Sequence, residues 1–147
     1  MRPLAFLIAR GLFSLIFIVA GVSKLIYWEE SVDRLALALS EWSFHLNGHF
    51  ISASLYKGWV SSSSILLAIG IAFELMGAFL ILTGLAIRLG AFFLLLFMVP
   101  VNIIMHPFWW TIEGEMRAEF QIFLKNLSLI GALVYFLISP QRRLEAQ

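Results

Sequence analysis

Charged and amide side chains interrupt the apolar segments of this chain at a few positions, and these are the residues that could do chemistry. They are Arg10, Lys24, Glu74, Arg88, Asn102, His106, Lys125 and Asn126. A charge in hydrocarbon costs about 2.5 to 3.5 kcal/mol on insertion scales, so such residues usually face a bundle interior and mark function. Since bases outnumber the single acid Glu74, we expect a cationic intramembrane site for an anionic or hydrogen-bond-accepting ligand, such as a quinone, a phosphate head group or a small oxyanion. Which base pairs with Glu74 stays open.

The spacing of the polar and small residues predicts one such stripe on each of four helices. Steps of three and four residues place side chains on a single helical face. The stripes are Arg10, Ser14, Phe17, Gly21 and Lys24; Gly70, Glu74, Gly77, Ile81 and Gly84; Arg88, Leu95, Asn102 and His106; and Gln121, Lys125, Ser128, Ala132 and Tyr135. We therefore expect an antiparallel four-helix bundle with all four stripes turned inward, around a partly polar interior.

The composition supports membrane-spanning helices as the elements that position these residues. The 147-residue chain is 61% hydrophobic and 13% charged, whereas soluble domains have about 25% charged residues. A bilayer core about 30 Å thick takes roughly 20 apolar residues per helix. We predict one all-α membrane domain over 1–147, with spanning helices at about 4–26, 65–84, 89–105 and 120–139. The first is expected to be retained, because it is longer than a signal-peptide core and contains Arg10.

The long segment between the first two spans, residues 27–64, is polar and rich in tryptophan. Within it, SVDRLALALSEW (31–42) has apolar residues at helical spacing, which predicts a short amphipathic helix at the membrane surface. Trp109 and Trp110 form an aromatic rim where the third span ends, and residues 111–119 are expected to be an acidic loop. His45 and His49 have metal-ligand spacing, but no third ligand is evident, so no metal is expected.

Charge distribution indicates orientation and excludes several classes of function. One side would carry Arg2, Arg88, Arg142 and Arg143, so the positive-inside rule predicts that both termini are cytoplasmic. A net charge of +1 without a basic cluster argues against nucleic acid as a partner. The chain has no cysteine and therefore no disulfide or thiol chemistry of its own. We expect no intrinsic cofactor; any redox role needs a bound quinone or a partner subunit that carries the cofactor.

Four motifs in order resemble the DoxX family of small bacterial membrane proteins. They are GLFSLIFIVAGVSKL after Arg10, FELMGAFLILTGLAIRLGA with Glu74 and Arg88, MHPFWW, and FLKNLSLIGAL. The resemblance implies a four-helix bundle in the bacterial inner membrane. It also implies a link to membrane redox complexes, because the founding member is a subunit of a thiosulfate:quinone oxidoreductase. Residues that match the family's polar pattern are Arg10, Lys24, Glu74, Arg88, His106, Lys125 and Asn126.

Three classes of function remain open from the sequence. The leading interpretation is a non-autonomous subunit or scaffold of a quinone-linked redox system, which holds a quinone-like or anionic lipid ligand near Glu74, Lys24 and Lys125 and lacks a catalytic motif of its own. The second is a small transporter or proton-coupled permease that uses Glu74. The third is an assembly factor without a ligand. Membrane lipids, a redox partner and a second copy of the chain are the expected partners.

Overall fold

The computed structural model describes residues 2–46 and 53–139 and has helices but no strand over these residues. The elements are α1 (Arg2–Ile26), α2 (Trp28–Leu46), α3 (Ala53–Ser61), α4 (Ser63–Thr83), α5 (Ile87–Met105), a 3-10 turn (Phe108–Trp110) and α6 (Glu113–Ile138). Within the described chain α1, α4, α5 and α6 are long and apolar enough to span a bilayer. The predicted all-α membrane fold with four spanning helices is confirmed. His49, Arg142 and Arg143 lie outside the described residues.

Neighbouring spanning helices run antiparallel, because residues near the start of one contact residues near the end of the next. The contacts that set these directions are Arg10–Gly84 and Gly21–Glu74 between α1 and α4, Gly70–Phe97 and Gly77–Gly90 between α4 and α5, and Arg88–Ser139 and Asn102–Phe123 between α5 and α6. We call the two ends of this bundle the Arg88 end and the His106 end. The polar residues are thus distributed along the full length of the bundle.

Two glycines bring α4 and α5 into backbone contact. A Cβ added to Gly77 would stand 2.8 Å from the Gly90 carbonyl oxygen, and one added to Gly90 would stand 2.7 Å from that of Gly77. Small residues allow membrane helices to pack this closely. Around the contact, Ala78, Ile81, Ala91 and Leu94 are fully buried. The predicted stripe of α4 therefore faces two neighbours: Gly70 and Gly77 contact α5, whereas Glu74 and Gly84 contact α1.

The segments outside the spans are more helical than the sequence predicted. The amphipathic helix extends over all 19 residues of α2, and it contacts α4 and α5 and buries Leu39. Helix α3 was not predicted from the sequence. The predicted acidic loop at 111–119 is wrong, because α6 begins at Glu113. Its first turns read EGEMRAE, mostly strong helix formers, with acids near the N-terminus where the helix dipole favours them.

Candidate functional site

An ion pair between α1 and α4 lies at the centre of the candidate site. The Lys24 ammonium donates hydrogen bonds to both carboxylate oxygens of Glu74, at 3.0 Å and 2.9 Å. Glu74 is 2% exposed and Lys24 is 29% exposed. Gly21, one turn before Lys24, brings the helices close enough, since a Cβ there would stand 2.6 Å from Leu75 Cδ2. Lys24 is therefore the base that pairs with Glu74.

The pair changes the expected electrostatics of the interior. Lys24 and Glu74 neutralise each other, so the site carries no uncompensated positive charge at this position. A lysine ammonium carries three N–H donors. Two of them are directed to the Glu74 carboxylate, and the ammonium also lies 5.3 Å from the centre of the Phe97 ring. One donor is left for a ligand, in a site whose net charge is zero.

Lys24 forms part of the wall of a cavity of about 730 Å³. The cavity lies toward the His106 end, between α1, α2, α4 and α5. Most of its lining is apolar, and Phe73 and Phe97 supply aromatic rings. Other apolar residues that line it are Ala20, Leu35, Leu39, Leu67, Gly70, Val101 and Ile104. A cavity of this size and composition can hold an organic molecule with an apolar body and few polar atoms.

The rim of the cavity has a polar side and an apolar side. Tyr27, Ser31 and the exposed Glu30–Arg34 ion pair, at 2.6 Å, belong to the polar side on α1 and α2. Leu66, Ile69 and Leu96 form the other side, and each is more than two-fifths exposed on a spanning helix. Because those side chains face the position of the lipid acyl chains, an apolar tail can leave the cavity between them.

The DoxX family model matches residues 5–107, which contain most of α1, all of α2 to α5, the ion pair and every residue that lines the cavity. The chain belongs to the DoxX family. No curated protein and no solved structure matches it. With four helices that could cross a membrane, this DoxX protein is a multi-pass membrane protein. The match ends before Lys125 and Asn126, which lie in α6.

Arg10 and Arg88, the two arginines of the predicted polar set of this DoxX protein, lie at the Arg88 end, away from the ion pair. Arg88 donates from Nε and Nη2 to the carbonyl oxygen of Ser139, at 3.1 Å and 2.8 Å, directly after α6. Arg10 contacts Gly84, the residue with positive φ that ends α4. Cations at helix C-termini are favoured by the helix dipole. Arg10 and Arg88 therefore stabilise helix ends and do not join a common polar cluster with Glu74.

Replacing Arg88 with glutamine is expected to lower the free energy of unfolding by about 1 kcal/mol. A hydrogen bond from a charged group contributes roughly 1.5 to 3 kcal/mol, and exposure of Arg88 reduces that figure. The measurement is an unfolding titration in mixed micelles followed by circular dichroism. Arg117→Gln, on the exposed surface of α6, is the matched control and should change stability by less than half as much. Equal effects of the two substitutions would contradict the capping role.

Asn102 and His106 connect α5 to α6 and do not line the cavity. Asn102 is buried, and its Nδ2 lies 3.4 Å from the Phe123 carbonyl oxygen. His106 Nδ1 lies 2.9 Å from Glu119 Oε2. The same end of the bundle is closed by α2, where Trp42 Nε1 donates to the Ile104 carbonyl oxygen at 3.1 Å. These residues fasten the His106 end of the bundle.

The aromatic rim residues Trp109 and Trp110 belong to a packed cluster with α2. The Trp42 ring meets both of them edge to face, and His45 stacks on Trp110 at 4.3 Å between ring centres. His45 therefore packs against a ring. Within the described residues, no group of three histidine, aspartate or glutamate side chains lies close enough to hold a metal ion. The cluster docks α2 over the cavity.

Lys125 and Asn126 do not join the ion pair, and the predicted inward stripe of the fourth span is wrong. Gln121, Lys125, Ser128 and Tyr135 are exposed, while Leu133 is fully buried. Asn126 is half-buried and does not line the cavity. The apolar side of α6 packs on α5, since Leu133 and its neighbours fill the core more effectively than the polar stripe could. The spacing of the apolar residues in α6 was the sequence signal that could have predicted which side of the helix faces the bundle.

Proposed function

We propose that this protein binds a quinone-like amphiphile in the cavity beside Lys24, as the membrane subunit of a quinone-linked redox system in the bacterial inner membrane. The observation that carries the proposal is a charge-neutral Lys24–Glu74 pair with one N–H donor left, on the wall of an apolar cavity of about 730 Å³. A quinone has the matching parts: a flat ring, carbonyl acceptors and an apolar tail.

Each part of a quinone has a counterpart in the cavity. A carbonyl oxygen can accept the remaining N–H of Lys24, while the ring packs against Phe97 or Phe73. The tail can leave between Leu66 and Leu96 toward the acyl chains. Ligand sites of roughly 300 to 1,000 Å³ that are mostly apolar, with few polar groups, are typical for molecules of this size. The residues present therefore fit a quinone.

Neutrality of the site favours a quinone over an anionic head group. A phosphate needs at least one uncompensated cation, and Lys24 already has Glu74 as its counter-charge. At the rim, Arg34 is likewise paired with Glu30. A neutral carbonyl compound loses less hydration on entering such a site than an anion does. The ligand class is therefore a neutral hydrogen-bond acceptor with an apolar body.

The role of the chain in this proposal is to hold and orient the quinone. The sequence contains no cysteine and no glycine-rich nucleotide fingerprint. Electrons would reach the quinone from a partner that carries its own redox group, as in other systems where the cofactor performs the redox chemistry and the protein positions it. With the termini in the cytoplasm, as the positive-inside rule predicts, the cavity lies toward the outer side of the membrane.

Lys24→Leu is expected to weaken quinone binding by about tenfold or more, because the quinone loses a hydrogen bond from a charged group and the buried Glu74 carboxylate loses its counter-charge. The purified protein is loaded with a short-tailed benzoquinone, gel-filtered in detergent, and the retained quinone is extracted and quantified by absorbance. One quinone per chain is expected. Lys57→Leu is the matched control, because Lys57 is exposed on α3 and does not line the cavity.

Three results would contradict the quinone proposal. The first is quinone retention that Lys24→Leu leaves unchanged. The second is displacement of the quinone by an anionic lipid at equal concentration, which would assign the cavity to a head group. The third is absence of quinone together with a solute or proton flux in vesicles that Glu74→Gln abolishes, which would favour the transporter interpretation.

A further inference from the structure

The outward surface of α6 differs from that of the other spanning helices. We define the polar face of α6 by Gln121, Lys125, Ser128, Ala132 and Tyr135. The exposed surfaces of α1, α4 and α5 are apolar away from the helix ends, with residues such as Leu12, Ile69 and Phe92. Apolar surface suits lipid. Among the described spanning helices, α6 alone presents a charge on the outside far from its ends.

Lys125 is the residue that makes this face unsuited to lipid. It lies near the middle of the 26-residue α6, it is exposed, and it has no ion pair or hydrogen bond within the described residues. A charged side chain in a spanning segment normally has a counter-charge or a water-filled path. The other deep cation, Lys24, has Glu74 as its counter-charge. Lys125 has no counter-charge within the described residues, and a carboxylate on a neighbouring helix is the group that would supply one.

The remainder of the polar face suits a second helix at close range. Ser128 and Ala132 are small residues four positions apart, and the Ser128 hydroxyl already donates to the Leu124 carbonyl oxygen. Beside them, a Cβ on Gly131 would meet nothing within 4 Å. Pairs of small residues at this spacing allow the backbones of membrane helices to approach. A helix that lies here would bring its own side chains next to Lys125.

A second copy of this chain cannot supply the missing carboxylate. In a symmetric dimer α6 would run parallel to its copy, which places the two Lys125 side chains beside each other. Glu74 is buried and is held by Lys24. The acid of α6 nearest to Lys125 in the sequence is Glu119, which is about 9 Å away along the helix axis. Glu119 contacts His106 of its own chain and is therefore not available to Lys125 of a second copy. Charge complementarity therefore excludes self-association through this face.

We propose that the polar face of α6 is the docking surface for a membrane helix of a different protein, and that this helix carries an aspartate or glutamate at the depth of Lys125. The inference does not rest on quinone binding, since α6 contributes no residue to the cavity lining. It adds a partner of defined chemistry: a single-span or multi-span protein with one intramembrane carboxylate beside small residues.

The test uses the absence of cysteine from the chain. Ser61→Cys, at the exposed end of α3, carries a donor dye, and a leucine-based transmembrane peptide with one central aspartate carries an acceptor. Energy transfer is measured in vesicles of neutral phospholipid at pH 8. We expect the aspartate peptide to bind about tenfold more tightly than the all-leucine peptide, the scale of one strong interhelical polar contact. Lys125→Leu should remove this preference, and Lys57→Leu should keep it.

Other outcomes overturn the docking proposal or separate it from the proposed function. Equal binding of the two peptides, or an aspartate preference that survives Lys125→Leu, would contradict it. Energy transfer between two labelled copies that Lys125→Leu abolishes would assign the face to self-association and also contradict it. Circular dichroism verifies that Lys125→Leu is folded. The Lys24→Leu variant should lose quinone and keep the preference for the aspartate peptide. The two proposals are therefore tested by separate measurements, and either can fail while the other holds.

Discussion

Replacing Glu74 with leucine is expected to lower the free energy of unfolding by about 3 kcal/mol and to abolish quinone retention. Removal of one partner from a buried ion pair typically costs about 3 to 5 kcal/mol, because the other charge is left without compensation. The lower end applies because Lys24 is 29% exposed and can turn toward the cavity. That movement also places an uncompensated ammonium where the quinone ring would lie. Unfolding titrations in mixed micelles and quinone extraction give the two readouts.

The double variant Lys24→Leu with Glu74→Leu separates stability from ligand binding. Buried ion pairs can often be replaced by apolar residues of similar size without loss of stability, so the double variant should regain most of the stability that Glu74→Leu loses. Quinone retention should stay absent, since the Lys24 donor is gone. A double variant that recovers both would show that the pair only holds α1 against α4. A double variant that regains neither stability nor quinone retention would show that the stability lost in Glu74→Leu does not come from the uncompensated charge of Lys24.

Gly90→Leu is expected to be as damaging, with a loss of about 3 kcal/mol or more in the free energy of unfolding. A Cβ at this position meets the Gly77 carbonyl oxygen at 2.7 Å and Ile81 Cγ1 at 2.9 Å. Backbone atoms cannot rotate away as a side chain can, so the helices must separate. The loss therefore reaches the upper end of the range of roughly 1 to 3 kcal/mol for overpacking. Because α4 and α5 both line the cavity, quinone retention should fall as well.

Gly11→Leu is the matched control for Gly90→Leu. Gly11 also lies inside a spanning helix, but a Cβ there would meet nothing within 4 Å. Both substitutions replace glycine with a better helix former, so any difference in stability between them reports the α4–α5 contact. Equal stability of the two variants in mixed micelles would contradict the close approach of α4 and α5.

Much of the candidate site was predictable because a charge in a spanning segment is costly. Glu74 had to be buried and paired, and the structure shows it so. Lys24 was one of several basic residues that could have paired with Glu74. The sequence could not show which of them is close enough, because that depends on the distance between the helices. That distance depends on Gly21 and Leu75, whose contact crosses from α1 to α4.

Lys125 shows where sequence reasoning about helical faces ends. A polar stripe on a spanning helix predicts that one face differs from the rest; it does not specify which neighbour that face contacts. In α6 the core includes Leu133, which belongs to the same buried cluster as Phe17 of α1, and Phe136, which packs edge to face on Phe13. Once that side was buried, the polar stripe had to point outward. Its exposure is a consequence of packing between helices that are far apart in the chain.

The sequence by itself determined that the chain is a helical membrane protein with four spans, because hydrocarbon thickness and the cost of unpaired backbone groups leave few alternatives for such apolar segments. It also determined that Glu74 needed a partner. Only the tertiary structure decided that Lys24 is that partner, that a cavity opens beside it, and that Arg10 and Arg88 cap helix ends. These outcomes depend on contacts between helices, where glycine positions and side-chain volumes select one arrangement among several with the same hydropathy.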